Sequence, residues 1–176
     1  MTYEGAGLIL FTPDVKVLIV QDANTGKWGF PKGHREPQDS GDLETACREL
    51  LEETGIRPES FKLYEPSFRI TRGSSSYLFR YGAIPREEGA VQNYREIAQV
   101  AWIPFMMLIS PAAEFDGNKY LRTWIEDMQK GAPKKSVHVF NSVIQHQMLE
   151  MFMVAQQQQQ QQQQYLPNPI AASTSG

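Results

Sequence analysis

The chain has 176 residues, a formal net charge of −3 and one cysteine, Cys47. This length suits one domain with a tail, and the mild negative charge supplies no basic field for nonspecific binding, so DNA is excluded as a partner. A single cysteine forms no disulfide within the chain, no apolar run is long enough to cross a bilayer, and the first residues lack a secretory pattern. We therefore expect a cytoplasmic protein without a membrane partner, with a nuclear location as the alternative.

Short β-rich runs separated by turns predict several strands in the first hundred residues. The first two runs flank Thr12-Pro13-Asp14, which is a hairpin signal. The expected strands cover residues 7–11, 15–21, 28–30, 61–64, 67–71, 77–84 and 99–103. Together with the helices described below, this order predicts an α/β fold in which a mixed sheet lies between helices.

One helix is predicted from Ser40 or Gly41 to Gly55, which suits the left-handed cap position. An apolar stripe is expected to dock this helix on the core, with Cys47 packing rather than acting as a nucleophile. The stripe consists of Leu43, Ala46, Cys47, Leu50 and Leu51.

Beside the stripe, Glu49, Glu52 and Glu53 span about 100° of the helix circumference. Like charges at this spacing weaken a helix by a few tenths of a kcal/mol per pair, so a chain that accepts this cost usually has a cation to place there. A solvated acidic face is the alternative. The preceding loop, residues 29–36, contributes Lys32, His34 and Arg35, whose positive charge suits anionic oxygens. Carboxylates for a divalent cation beside basic groups favour phosphoryl chemistry.

Beyond Pro104 the pattern is helical, with helices expected at residues 118–130 and 137–154. The apolar stripe of the last helix is expected to pack on the domain, and the alternative is a partner-binding or dimer helix, because its end is rich in methionine. We assign residues 1–154 to one domain and residues 155–176, with nine consecutive glutamines, to a disordered tail whose first turns could extend the helix. The stripe consists of Val139, Phe140, Val143, Ile144, Met148, Met151 and Phe152.

The segment from Gly33 to Ile56 resembles the Nudix box: Gly, five residues, Glu, seven residues, Arg-Glu, an apolar residue, any residue, Glu-Glu, any residue, Gly and an apolar residue. Its second half, from Arg48 to Ile56, matches at every defined position. The first half departs, since it carries one extra residue and lacks the loop glutamate. Asp39 is the expected replacement for that glutamate, which in the family braces the box arginine and the loop.

The resemblance implies a Nudix-like α/β/α sandwich with extra C-terminal helices and a hydrolase of phosphorus-containing anhydrides that uses Mg²⁺, with Mn²⁺ as a substitute. It implies that the three glutamates and the Gly33 carbonyl bind the metal and that Arg48 orients a glutamate. Glu53 is the first candidate for the general base and Glu52 the second. Glu96, before the predicted strand with a tryptophan, is a candidate outside the box, near Gln99 where many relatives have a second acid.

Residues in and before the box resemble two branches of the family, which differ in substrate. Residues 31–46 are similar to the dinucleoside polyphosphate hydrolase branch, which cleaves diadenosine tetraphosphate, while residues 28–33 resemble the mRNA-decapping branch. Capped RNA and diphosphoinositol polyphosphates are therefore alternatives, and an inactive nucleotide sensor or protein-binding module is an alternative of another class. Lys32, His34 and Arg35 are expected to contact phosphates, with hydrogen bonding within the loop as the alternative for His34. The basic residues Lys130, Lys134 and Lys135 form only a thin patch, for which a solvated turn is the alternative. Candidate aromatic platforms for a base are Trp28, Tyr77, Phe79 and Tyr81, and for each of them packing in the core or the sheet is the alternative.

Overall fold

The computed structural model describes residues 3–131, 134–165 and 167. Within these ranges, seven strands form one sheet, and four α-helices and a 3-10 helix at Pro58–Ser60 accompany it. The strands are β1 Tyr3–Phe11, β2 Lys16–Asp22, β3 Trp28–Gly29, β4 Lys32–His34, β5 Lys62–Arg72, β6 Ser75–Ala83 and β7 Ile97–Pro104. The helices are α1 Asp42–Thr54, α2 Phe105–Leu108, α3 Lys119–Lys130 and α4 Lys135–Gln164.

The sheet is mixed, as expected. Its main order is β3-β2-β1-β6-β5, with β4 paired to β1 and β7 paired to β2. Strands β1 and β6 run parallel, and the other neighbouring pairs are antiparallel. The two strands expected at residues 61–64 and 67–71 form one strand, β5, with an irregularity between Leu63 and Ser67.

Strand β4 was expected to be part of a loop. It pairs with β1 across Gly5 and Gly7, and a Cβ at Gly7 would lie only 2.6 Å from the Pro31 carbonyl oxygen. The two glycines therefore permit a backbone approach that side chains would block.

Helices cover both faces of the sheet, which confirms the predicted α/β/α sandwich. Helix α1 packs on one face, where the buried cluster consists of Ala6, Leu8, Leu10, Leu18, Ala46, Leu50, Ile56 and Ile84. Helices α3 and α4 pack on the other face around Trp124 and Phe140. The α1 stripe is narrower than expected, because Leu43 and Leu51 are exposed while Ala46 and Leu50 are buried and Cys47 is half-buried. Helix α1 meets only a few strands, so residues at the margins of its stripe face solvent.

Helix α4 is longer than expected. It begins at Lys135 and continues to Gln164, through the glutamine tract assigned above to a disordered tail. Glutamine has a good helix propensity, and extending an existing helix is easier than nucleating one. The rest of the expected tail, residue 166 and residues 168–176, lies outside the described residues. No helix in the described ranges is apolar over a stretch long enough to span a bilayer.

Candidate active site

Arg48 lies at the centre of the acidic turn of α1 and donates hydrogen bonds to four groups. Its Nε and Nη2 donate to the two carboxylate oxygens of Asp39 at 3.0 and 2.9 Å. Nη2 also donates to the His34 carbonyl at 2.9 Å. Nη1 donates to Glu49 Oε1 at 2.9 Å and to both oxygens of Glu52 at 3.2 and 3.3 Å. Arg48 therefore joins the loop before α1 to two of the box glutamates.

Asp39 makes the contacts expected of the missing loop glutamate. Its carboxylate also accepts hydrogen bonds from the Glu36 backbone N–H and the Thr45 hydroxyl, both at 2.9 Å. The Arg48 guanidinium and these donors hold the pKa of Asp39 far below its usual value. The shorter acid, with one extra residue in the box, thus still braces the arginine.

Glu53 and Lys32 lie together on the inner side of the turn. Burial raises the pKa of Glu53 to about 8, the charge of Glu49 adds to the shift, and Lys32 opposes it. Burial also lowers the pKa of Lys32, whose Nζ lies 4.4 Å from the ring centroid of Tyr77 and 5.2 Å from that of Tyr120. Glu53 Oε2 is buried, and it meets no hydrogen-bond partner among the described residues.

The three box glutamates point in different directions. Glu49 and Glu52 are turned toward Arg48, whereas Glu53 is turned inward. Accordingly, within the part of the chain that the structure describes, no three His, Cys, Asp or Glu side chains converge as a ready set of metal ligands. The metal-binding role of the glutamates stays a prediction.

Gly33 permits the close approach of Glu49 to strand β4. A Cβ at Gly33 would overlap the carboxyl group of Glu49, so only glycine leaves room for it. The Gly33 carbonyl oxygen lies against Gly5 of β1. Its role as a metal ligand also stays a prediction.

A cavity of about 350 Å³ is lined by Tyr77 and Tyr120, the two rings over which Lys32 Nζ lies. Of the predicted substrate-binding residues, His34 lines it, and its ring stacks on Tyr77 with centroids 5.9 Å apart. Arg35 lies exposed next to His34, and its predicted contact with phosphate stays a prediction. The lining consists of His34, Ser74, Ser75, Tyr77, Lys119 and Tyr120.

Two aromatic platforms proposed from the sequence are wrong. Tyr81 and Phe79 are fully buried in the core between the sheet and helices α3 and α4. The Tyr81 hydroxyl donates to the Ser136 carbonyl at 3.0 Å and accepts from Trp124 Nε1 at 2.9 Å. Both rings share a face of β6 with Tyr77, but helices α3 and α4 cover them there, which removes them from the site. Trp28 is half-buried and packs against the same core.

Glu96 lies exposed in the loop before β7, and its charge contributes to the raised pKa of Glu53. It therefore lies near the acidic turn, although its catalytic role stays a prediction. Gln99 Nε2 instead donates to Gln21 Oε1 at 3.0 Å. Sequence reasoning missed Lys119 and Tyr120, which α3 brings to the site from far along the chain. Tyr120 lay within an ordinary helical apolar pattern, so no local signal marked it.

Comparison with known proteins agrees with this geometry. A profile of the NUDIX domain matches residues 1–127. The human protein Nucleoside diphosphate-linked moiety X motif 6 is 49% identical over 57 residues, which are 31% of this chain and 17% of that protein. The Putative mutator protein MutT4 of Mycobacterium tuberculosis is 32% identical over 99 residues, 51% of this chain and 37% of that protein. The chain thus spans well under half the length of these curated relatives.

Solved structures share the fold. The Ap4A hydrolase of C. elegans, in a binary complex, aligns with a TM-score of 0.57 at 16% identity, over 74% of this chain and 97% of that one. The NUDIX domain of Shewanella oneidensis NrtR, complexed with ADP ribose, aligns with a TM-score of 0.58 at 21% identity, over 74% and 88%. At these identities the alignments show the fold alone. Because the domain profile covers most of the chain and the box lies within it, this protein belongs to the NUDIX domain family.

Proposed function

We propose that the protein is a Mg²⁺-dependent hydrolase that cleaves a phosphoanhydride bond in a nucleoside diphosphate-linked substrate. The observation that carries the proposal is the Glu53 carboxylate, buried beside Lys32 with Oε2 unpaired among the described residues. A buried carboxylate oxygen without a hydrogen-bond partner is costly to the fold, and a chain that retains one usually uses it. Cytoplasmic location stays a prediction.

The residues present fit a hard divalent cation. All candidate ligands are carboxylate or carbonyl oxygens, which Mg²⁺ prefers, and Mn²⁺ accepts the same donors. Glu53, Glu49 and Glu52 would hold it, once Glu49 and Glu52 exchange the hydrogen bonds of Arg48 for the ion. The Glu52 side chain is 50% exposed, so there is room for it to turn from Arg48 toward the ion. When bound, Mg²⁺ would neutralise phosphate charge and orient the anhydride.

The chain's own groups would perform the remaining tasks. Lys32, His34 and Lys119 present positive charge or hydrogen-bond donors to the phosphate oxygens. Glu53 Oε2 would take the proton of the attacking water as its oxygen bonds to phosphorus and the anhydride P–O bond breaks. Arg48 would hold the loop before α1 in a fixed position relative to the box glutamates, which is a positioning role.

A dinucleoside polyphosphate such as diadenosine tetraphosphate is the preferred substrate. The cavity lined by His34, Tyr77, Lys119 and Tyr120 places aromatic rings and a cation next to Lys32. The C. elegans neighbour is an Ap4A hydrolase and the S. oneidensis domain is bound to ADP ribose, so both names concern nucleoside diphosphate-linked compounds. Capped RNA and diphosphoinositol polyphosphates are the alternatives within the same chemistry.

A substrate panel tests the proposal. Wild-type protein with Mg²⁺ is incubated with dinucleoside polyphosphates, capped RNA, nucleotide sugars and diphosphoinositol polyphosphates, and the phosphate-containing products are identified by mass spectrometry. We expect turnover of a dinucleoside polyphosphate that stops when the metal is chelated. Exclusive turnover of capped RNA or a diphosphoinositol polyphosphate would mean that this compound, and not a dinucleoside polyphosphate, is the substrate. No turnover of any compound in the panel would favour the inactive sensor or binding module.

Two variants connect activity to the site. Glu53→Gln keeps the side-chain volume and should reduce kcat by orders of magnitude. Glu59→Gln, in the exposed 3-10 helix, removes the same charge outside the site and should retain normal turnover. Equal activity of the two variants would refute the role of Glu53.

A further inference from the structure

The distal part of α4, residues 148–164, is apolar at its start and contacts the domain through the ion pair of Glu150 with Lys62, but it buries none of its own side chains there. Gln147 is the last buried residue of the helix, and every residue from Met148 to Gln164 is exposed. Six apolar side chains in this part are 49–63% exposed: Met148, Leu149, Met151, Phe152, Met153 and Val154. They occur on all sides of the helix. A helix that is hydrophobic all round is typical of a buried environment.

The helix also leaves a gap where it departs from the domain. A cavity of about 470 Å³ lies between Met151 and Val154 on the helix and Pro13, Ile84 and Pro85 on the domain. Gln147 lines this cavity, and its buried Oε1 has no hydrogen-bond partner in the described part of the chain. The distal part of α4 is therefore not tightly packed against the domain.

The near absence of charge in the distal part of α4 restricts the kind of partner that could cover its apolar side chains. After Lys135 the sequence contains no Lys or Arg, and Glu150 is the single acidic residue. Glu150 is already engaged, since its Oε1 lies 3.2 Å from Lys62 Nζ and 2.9 Å from His146 Nε2. A lipid surface would find no basic face to attract, and a charged protein would find no counter-charge. Each glutamine amide has both donors and an acceptor, so the glutamine turns of two copies can hydrogen-bond to each other.

We propose that the partner is a second copy of this chain. Two distal α4 segments pack against each other around a two-fold axis, with Met148 to Val154 at the centre and glutamines at the flank. Met151 and Val154 line the cavity toward the domain, and the other four apolar side chains lie within an arc of about 140° on the helix. These four, Met148, Leu149, Phe152 and Met153, each expose on the order of 100 Å² and form the core of such a patch. With the adjoining glutamine turns, the face approaches the roughly 800 Å² that each partner contributes to a standard interface. This inference is independent of the proposed hydrolase activity.

The test is the oligomeric state of the full chain, measured by sedimentation velocity over a concentration series. We expect wild type to dimerise, and Met148→Glu and Phe152→Glu each to raise the dimer dissociation constant at least tenfold. Both residues are exposed, so the fold of the monomer should survive, and circular dichroism checks this. Asn141→Glu places the same charge on an exposed position of the packed half of α4 and should dimerise like wild type.

Two outcomes would overturn the proposal. Wild type that stays monomeric throughout the series would mean that residues 166–176 of the same chain or a different protein covers the face. Wild type and Phe152→Glu that dimerise equally well would place the interface elsewhere on the molecule.

Discussion

Arg48 and Asp39 form a two-point ion pair, in which Nε donates to Oδ1 at 3.0 Å and Nη2 to Oδ2 at 2.9 Å. The Asp39 side chain is 1% exposed and that of Arg48 is 17% exposed. This pair fastens the loop after β4 to helix α1. It therefore sets the position of the box glutamates relative to Lys32, even though the loop differs from the family pattern.

Asp39→Ala should lower the Tm by several degrees, because Arg48 loses its main partner while remaining largely buried. Glu36→Gln is the matched control: Glu36 lies 3.6 Å from the same guanidinium but is exposed, so its loss should hardly matter. The depressed pKa of Asp39 gives stability above its ordinary value of 3.8 that is lost as the pH falls below it. Thermal unfolding from pH 7 to pH 2 measures both effects, and equal Tm values for the two variants would contradict the bracing role.

Glu53→Gln should stabilise the metal-free protein at pH 8. The pKa of Glu53 is raised from 4.5 to about 8, so the fold is favoured when this carboxyl is protonated. The stabilisation is present below pH 4.5 and is lost as the pH rises toward 8, by on the order of a few kcal/mol. Urea unfolding with a chelator should show the variant as more stable at pH 8 and close to wild type at pH 4. A difference that does not change with pH would contradict the buried carboxyl.

Gly33→Ala should reduce turnover at least tenfold with little loss of secondary structure, because the new Cβ would displace the Glu49 carboxyl group. Gly41→Ala is the control, since a Cβ at Gly41 meets nothing within 4 Å and its φ of 178° is ordinary extended backbone. Steady-state kinetics on the compound that the substrate panel shows to be hydrolysed compares the two variants. Normal turnover of Gly33→Ala would mean that the placement of Glu49 is unimportant.

Tyr81→Phe should destabilise the fold by about 1–3 kcal/mol, because the Trp124 N–H and the Ser136 carbonyl lose their partner in the core. KM should not change, since Tyr81 lies away from the site. Tyr64→Phe offers a contrast: its hydroxyl is buried without a partner among the described residues, so its removal should be neutral or stabilising. Urea unfolding ranks the two variants, and a raised KM for Tyr81→Phe would restore its role in substrate binding.

Val15→Gly should raise stability by about 1 kcal/mol. Val15 has a φ of 59°, a left-handed conformation that a β-branched residue adopts only under strain. Glycine removes this strain, although it also gains freedom in the unfolded chain, which offsets part of the benefit. Val15→Ala should gain less, because it keeps a Cβ at the same φ. A lower Tm for Val15→Gly would indicate that packing of the valine outweighs the strain.

The sequence by itself determined the acidic helix and most of the sheet. The Gly55 cap, the 3.6-residue spacing in α1 and the Thr12-Pro13-Asp14 hairpin are local features, set by neighbours a few residues apart. The match from Arg48 to Ile56 then indicated the family, because those residue types at that spacing serve one kind of site. The sequence did not determine where α4 ends, since glutamines favour a helix but supply no apolar face to pack.

Only the tertiary structure decided the surroundings of those glutamates. The pairing of β4 with β1 depends on space at Gly5 and Gly7, and the burial of Lys32 depends on rings contributed by β6 and α3. The same packing directs Tyr81 into the core. These contacts join residues far apart in the chain, and their free energy arises from burial and ion pairing after the sheet has formed, so no local pattern encodes them.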